Sequence, residues 1–205
     1  ICFGDARGYI RKVGRDEEGL VRWSLILLGG AEGHKMRIIA AYNPCKNKNV
    51  NSGTSYQQQH QYFIMKKKDL TCPLIHFRKH QITLIKQWRA AGERIVLFMD
   101  HNEHVIDGCL GKALANKDGP DLREAIRLHT GASPGATVFQ GSWPIDGLWV
   151  SSELDISNAC VMPFGFGVGD HRAFILDIPL ESLVGVNPVK IVRPVSRRLN
   201  SRLPK

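Results

Sequence analysis

The sequence predicts an α/β fold in which two β-sheets pack together with helices outside them, an α/β sandwich. Two apolar stretches on either side of a glycine-rich turn indicate a hairpin. A stretch of helical period is followed by an almost unbroken apolar run, and a second helix precedes several short apolar stretches. The 205 residues, 43% of them hydrophobic, suit one domain with a sizeable core.

The first elements along the chain are the two strands of the predicted hairpin, residues 22–28 and 36–42, joined by Gly-Gly-Ala-Glu-Gly. The polar segment after them predicts a loop and then a short helix over residues 55–65. These assignments place Tyr42, Asn43 and Pro44 at the end of the second strand.

The clearest predicted helix spans residues 73–91. Its apolar residues recur at the helical period on one arc: Leu74, Phe77, Leu84, Ile85 and Trp88. Pro73 suits the first turn and Gly92 the end. We expect His76 and His80 on the opposite, solvent-facing side, where no carboxylate between them would complete a metal site.

The second half of the chain begins with a strand over residues 94–99, whose continuous apolar run indicates burial on both faces. A second helix is predicted over residues 120–129. Short strands are then predicted over residues 137–140, 145–150, 159–162 and 172–178, separated by glycine-rich breaks.

The composition favours a polyanionic partner. The net charge is +9, and the last 24 residues contain no acid. We therefore divide the chain into a domain, residues 1–180, and a basic, proline-containing tail, residues 181–205, which is either a solvated linker or a nucleic-acid contact. No apolar stretch approaches the roughly 20 residues that span a bilayer, so no membrane is expected.

The five cysteines show no metal or disulfide spacing, and we interpret them as free thiols in a reducing compartment. They are Cys2, Cys45, Cys72, Cys109 and Cys160. This predicts an intracellular protein, with the nucleus as a candidate location. Protein partners are not indicated by the sequence.

Polar residues stand at the edges of three buried stretches, where chemistry is expected. Asp100 and Asn102 follow one strand, Asp146 opens another, and Asp170 and His171 precede the last. Carboxylates that hold a divalent cation, a base that prepares water and donors that meet developing charge are the requirements for attack on a phosphate.

These motifs resemble those of the endonuclease/exonuclease/phosphatase superfamily. Asp100-x-Asn102, Ile145-Asp146-Gly147 and Gly169-Asp170-His171 match its motifs in order and at similar separations, and Tyr42-Asn43-Pro44 resembles its Tyr-x-Pro strand end. The resemblance covers residues 15–180 and is closest to endonuclease-like domains of retroelements. It implies a DNase I-like fold and metal-dependent phosphodiester hydrolysis with Mg²⁺ or Mn²⁺.

Each motif residue can be given a role. His171 is the base or transition-state donor, and Asp146 orients its imidazole. Asp170 is the expected Mg²⁺ ligand, because this ion takes few carboxylates and keeps water. Asp100 positions the attacking water, and Asn102 contacts a phosphate oxygen.

Three further side chains are expected around this centre. Tyr42 donates its hydroxyl to the phosphate or, alternatively, is a core aromatic. Trp143 either stacks on a base or sugar or is buried. His101 is expected to line the cleft without binding metal.

The sequence lacks one residue that the resemblance to this superfamily would require. The superfamily's main metal ligand is a glutamate on an early strand, helped by an asparagine, and Glu17 and Glu18 lie instead in a turn-like sequence. We therefore expect the fold to be incomplete at the N-terminus and this piece to be weakly active or inactive.

Three functions remain open from the sequence. The first is a Mg²⁺-dependent DNA endonuclease domain of a mobile element. The second is a truncated, non-catalytic remnant that binds nucleic acid through its charge. The third is a phosphatase of small phosphorylated molecules on the same scaffold, because fold does not fix substrate.

Overall fold

The computed structural model describes residues 4–46, 53–167 and 169–185. Their main feature is a six-stranded mixed sheet with the strand order β1-β2-β3-β4-β6-β5, and β7 and β8 form a second, two-stranded sheet. The strands are β1 (Ile10–Arg15), β2 (Trp23–Gly29), β3 (Lys35–Tyr42), β4 (Arg94–Asp100), β5 (Leu122–Glu124), β6 (Asp146–Ser151), β7 (Asn158–Val161) and β8 (Phe174–Asp177). The helices are α1 (Ser55–Tyr62), α2 (Pro73–Ala90), α3 (Cys109–Leu114), α4 (Ala125–Thr130) and α5 (Leu180–Val184).

The predicted hairpin is confirmed. Strands β2 and β3 pair antiparallel from Trp23 opposite Ala41 to Gly29 opposite Lys35. The additional strand β1 pairs antiparallel with β2 and was not predicted, because it is a largely exposed edge strand without an apolar pattern. The predicted helix over residues 55–65 is confirmed by α1, which continues into a π-helical turn, Phe63–Lys67.

Helix α2 is confirmed, but its buried face differs from the predicted arc. The buried residues are centred on Phe77, Gln81 and Ile85, so a polar side chain occupies the middle of the stripe. The expectation that His76 and His80 face solvent is wrong. His76 stacks on Phe63 and His80 contacts Trp23, because the π-helical turn after α1 and strand β2 cover this side of the helix.

Strand β4 is almost fully buried, as its apolar run predicted. It pairs parallel with β3 and antiparallel with β6. The predicted strands at residues 145–150, 159–162 and 172–178 correspond to β6, β7 and β8.

One local prediction, the helix over residues 120–129, holds only in its second half, and another, the strand over residues 137–140, is wrong. Residues 120–129 form strand β5 followed by the short helix α4, because Leu122 and Glu124 pair with the edge of β6 and the Glu124 side chain caps α4. Residues 137–140 contain only a single bridge, between Val138 and His171. Helix α3 was not predicted, because six residues are too short for a clear periodic pattern.

Two apolar clusters lie on opposite faces of the large sheet. On one face α2 and α3 pack through residues such as Phe77, Ile85 and Leu110. On the other face α4 and the β7–β8 sheet pack through Ala125, Ala159 and their neighbours. The predicted arrangement of two packed sheets with outer helices is thereby confirmed.

The C-terminal part that the structure describes belongs to the folded body. Val184 in α5 is fully buried, and the Ser182 carbonyl accepts a hydrogen bond from Arg94. The first residues of the predicted tail, up to Gly185, are therefore packed, and residues 186–205 lie outside the described residues. The described cysteines, Cys45, Cys72, Cys109 and Cys160, are free thiols, as predicted, and Cys2 lies outside the described residues.

None of the described helices is both long enough and apolar enough to cross a bilayer.

Candidate active site

The register of three neighbouring strands brings three predicted site residues into one row. Tyr42 at the end of β3 pairs with Asp100 at the end of β4, and Asp100 pairs with Asp146 at the start of β6. Side chains of directly paired residues project from the same face of a sheet, so all three lie on one face. They project toward the side that carries the β7–β8 sheet.

His171 reaches this row from the segment before β8. Its Nδ1 lies 2.9 and 3.1 Å from the two carboxylate oxygens of Asp146, and because Asp146 accepts, Nδ1–H donates. In the neutral imidazole Nε2 then carries the lone pair. The Asp146 side chain is 13% exposed and that of His171 38%, so the acid orients the ring while the ring remains accessible.

Thr137 holds Asp146 in place, and sequence reasoning missed it. Its buried hydroxyl oxygen accepts hydrogen bonds from the backbone N–H groups of Ile145 and Asp146, at 3.0 and 3.1 Å. The carbonyl of Thr137 also accepts from the backbone N–H of Arg172. One residue thus ties the start of β6 to the segment that carries His171, although nothing in its own sequence neighbourhood indicates this.

The Asp100–Asn102 pair forms a tight loop closed by Asn43. The backbone N–H of Asn102 donates to Asp100 Oδ1 over 2.9 Å, and the Asn102 side-chain amide donates to the Asn43 carbonyl over 2.7 Å. Asn43 in turn donates its own amide to the carbonyl of His101. The predicted phosphate-binding amide of Asn102 is therefore engaged inside the protein, and Asn43 is a structural partner that the motif comparison did not single out.

The electrostatics of the site favour an added positive charge. Burial, which outweighs the hydrogen bond from the Asn102 backbone, and the nearby charge of Asp146 raise the pKa of Asp100 to about 6. Partial burial lowers the pKa of His171, but the hydrogen bond and charge of Asp146 outweigh it, so the net shift of that pKa is upward.

His101 does not line the cleft, contrary to the expectation. It is fully buried on the opposite face of the sheet, and its Nε2 accepts a hydrogen bond from the Trp149 indole over 3.0 Å. Burial lowers the pKa of His101 to about 3, so the ring is neutral. Its side chain points away from that of Asp100, because successive residues of an extended chain point to opposite faces. His101 thereby anchors the loop between Asp100 and Asn102 to the core.

The remaining predicted residues lie at the rim. Tyr42 is 38% exposed and Trp143 56% exposed, so neither is a core aromatic. The Asp170 side chain is 67% exposed, and its Oδ1 lies 3.9 Å from His171 Nε2. The predicted metal ligand therefore stands on the solvent side of the imidazole, away from the Asp100–Asp146 pair.

The donors present suit a hard divalent cation. One ligand atom each from Asp100, Asp146 and His171 lies within 4.8 Å of the others. Among the described residues no lysine or arginine forms an ion pair with Asp100 or Asp146, so protonated His171 is the one countercharge to these two carboxylates in the described part of the chain. Oxygen ligands of this kind fit Mg²⁺ or Mn²⁺. Beside them a cavity of about 260 Å³ is also lined by Phe98, Arg172 and Phe174.

Comparison with solved structures identifies the class of fold. The 3′ phosphatase NExo from Neisseria, bound to a product DNA hairpin, superposes with a TM-score of 0.55 at 13% identity, over 82% of this chain and 71% of NExo. The human Nocturnin catalytic domain with bound sulfate gives 0.48 at 13% identity, over 82% and 59% of the two chains. The Xenopus laevis APE2 catalytic domain gives 0.48 at 14% identity, over 77% and 56%.

The chain thus has the DNase I-like α/β sandwich of endonuclease/exonuclease/phosphatase proteins, as the motifs predicted. It spans less than two thirds of the Nocturnin and APE2 domains that it resembles. No protein-family model matches the sequence, and no curated protein matches it either.

Proposed function

We propose that this protein hydrolyses phosphodiester bonds of nucleic acid, most favourably DNA, with a divalent cation. The observation that carries the proposal is the Asp146–His171 hydrogen bond beside Asp100 on the next strand. A histidine oriented by a carboxylate, next to a second carboxylate that no described lysine or arginine pairs with, has the parts needed to activate water and stabilise charge at a phosphate.

The protein's own residues divide the work as follows. Asp146 holds the His171 ring so that Nε2 faces the substrate, where it exchanges a proton with water or with the leaving oxygen. Asp100 accepts a hydrogen bond from the attacking water. The exposed Tyr42 hydroxyl donates to a phosphate oxygen. A bound Mg²⁺ or Mn²⁺, held by Asp100 and Asp146, would supply charge neutralisation at the phosphate.

Several observations favour a nucleic acid over a small phosphorylated molecule. The net charge of +9 attracts a polyanion. NExo, which shares the fold, is bound to a DNA hairpin in its own structure. The motifs resemble those of retroelement endonucleases, so we place the activity in a DNA endonuclease domain of a mobile element, acting on intracellular, most simply nuclear, DNA.

We expect slow turnover. Only two carboxylates among the described residues face the proposed cation, and Asp170 stands apart from them. A weakly held cation is present in a small fraction of molecules at ordinary concentrations, so the rate should rise with the concentration of Mg²⁺ or Mn²⁺.

The test measures cleavage of supercoiled plasmid and of a labelled oligonucleotide by the full chain, with the protein in excess over the substrate. Each substrate is incubated with Mn²⁺, with Mg²⁺ or with EDTA. We expect nicking that requires the cation and is lost in Asp146→Asn. A soluble phosphomonoester is assayed in parallel, and faster turnover of it would favour the small-molecule phosphatase. Salt-sensitive DNA binding without any cleavage would contradict the proposal and support the non-catalytic remnant.

A further inference from the structure

Three exposed phenylalanines lie on the two segments that pack against His171, next to Val138 and Gly167, and have no role in the hydrolysis described above. Phe139 is 59% exposed, Phe164 42% and Phe166 69%. Large aromatic side chains that are exposed as a group mark a binding surface, since isolated exposure would need no explanation. We call these three residues the aromatic corner.

The aromatic corner is held rigidly. The rings of Phe139 and Phe164 meet edge to face with centroids 5.8 Å apart, and the Arg172 guanidinium lies 5.3 Å from the Phe164 centroid. Arg172 also donates hydrogen bonds to the carbonyls of Ala136, Val161 and Met162. It therefore fastens both phenylalanine-bearing segments, and the Phe139 and Phe164 rings are positioned before any ligand arrives.

The aromatic corner is also attached to the proposed catalytic residue. Val138 forms a β-bridge with His171, and the backbone N–H of Phe139 donates to the Asp170 carbonyl over 2.8 Å. Gly167 packs so closely on His171 that a Cβ there would lie 2.1 Å from the His171 carbonyl oxygen. A substrate whose phosphate faces His171 thus brings its neighbouring groups within reach of these rings.

We propose that the aromatic corner stacks an unpaired nucleobase next to the phosphate that is cleaved, so that the substrate is a single-stranded or locally opened nucleic acid. This rests on the proposed function for the position of the phosphate. Base stacking on aromatic rings tolerates any sequence, because every base has a π-face. The positive net charge of the protein supplies the backbone attraction that accompanies such stacking.

The test measures binding in EDTA, so that cleavage does not enter. Fluorescently labelled oligothymidylate is compared with an abasic deoxyribose-phosphate oligomer of equal length, using the full chain. We expect tighter binding of oligothymidylate, and a loss of about 10-fold in its affinity in Phe139→Ala and Phe166→Ala. The affinity of these two variants for the abasic oligomer should equal that of the wild-type chain. Phe166→Trp keeps an aromatic ring at this position and should bind oligothymidylate as tightly as the wild-type chain does.

Ile175→Ala is the matched control, since Ile175 is another exposed apolar residue, 41% exposed on β8. It should leave both affinities unchanged, and thermal unfolding should show that each variant is folded. Equal affinity of the wild-type chain for both oligomers would overturn the stacking proposal, and so would a parallel loss of both in Phe166→Ala. Failure of the proposed hydrolysis is recognised separately, by absence of cleavage when Mn²⁺ is added.

Discussion

Two clusters in this protein each combine two carboxylates with one histidine and differ in one contact. Asp16, Glu18 and His80 have ligand atoms within 4.8 Å of one another, as do Asp100, Asp146 and His171. In the first cluster the buried guanidinium of Arg22 lies between the acids, 2.6 Å from Asp16 and 2.6 Å from Glu18. In the second, no described lysine or arginine takes that position.

The pKa shifts of the two clusters run in opposite directions. Burial raises the pKa of Asp16, but the hydrogen bonds and charge of Arg22 outweigh it and lower that pKa overall. The pKa of Asp100 is raised to about 6. Burial and Arg22 lower the pKa of His80, whereas the pKa of His171 is raised. The permanently charged guanidinium of Arg22 makes the first cluster a structural ion pair, and because no described lysine or arginine lies in the second cluster, that cluster is open to a ligand.

The largest expected effect separates the two histidines by activity. His171→Ala should reduce the cleavage rate about 10²- to 10⁴-fold, the usual contribution of a general acid or base. His80→Ala should change the rate per folded molecule less than about threefold, because a structural ion pair touches no substrate. The measurement is single-turnover cleavage of a labelled oligonucleotide with Mn²⁺, corrected for the folded fraction. Comparable losses of cleavage rate in both variants would contradict the assignment of a catalytic role to His171 and a structural role to His80.

The second effect separates the clusters by stability. Arg22→Met should reduce the free energy of unfolding by about 3–5 kcal/mol, because it leaves the buried Asp16 carboxylate without its partner. Arg89→Met removes a more exposed ion pair, with Glu153, and should cost less than about 1 kcal/mol. Urea unfolding of both variants measures the difference. Equal costs would show that Arg22 is not the countercharge that we describe.

The sequence predicted the elements that carry a long periodic signal. The hairpin, α2 and β4 each follow from apolar patterns within one segment. Residues placed at strand ends by such patterns, Asp100 and Asp146, were accordingly found beside each other. The resemblance to a known family added the order of the motifs, which periodicity alone cannot supply.

The contacts between distant segments could not be read from the sequence. Arg22 and His80 are 58 positions apart, and so are Asn43 and His101. Their pairing depends on how α2 and the loop after β4 lie across the sheet, which no local pattern encodes. The same holds for β5, whose strand geometry comes from its neighbour β6 and overrides a helix-like sequence.

A smaller effect on stability tests how tightly the backbone next to Asp146 packs against the apolar core. A Cβ on Gly147, the residue after Asp146, would lie 2.2 Å from Val105 Cγ2 and 2.9 Å from Trp149 Nε1. Gly147→Ala should therefore cost about 1–3 kcal/mol of unfolding free energy through overpacking. Gly135→Ala is the control, since a Cβ there meets nothing within 4 Å. Thermal unfolding of both variants should show a lower midpoint for Gly147→Ala alone.

The smallest expected effect is a difference in how stability depends on pH. Burial and Arg22 lower the pKa of His80 in the folded protein, whereas the unfolded chain binds a proton near the ordinary value of 6.5. The contribution of His80 is complete above pH 6.5 and declines as pH falls toward its folded pKa. The contribution of His171 to stability changes with pH in the opposite direction, because its raised pKa adds stability as pH falls through that value.

His80→Gln should therefore lose less stability than the wild-type chain between pH 7 and pH 5, and His171→Gln should lose more. Urea unfolding at several pH values compares the slopes, and identical slopes in the two variants would contradict the opposite pKa shifts of the two clusters.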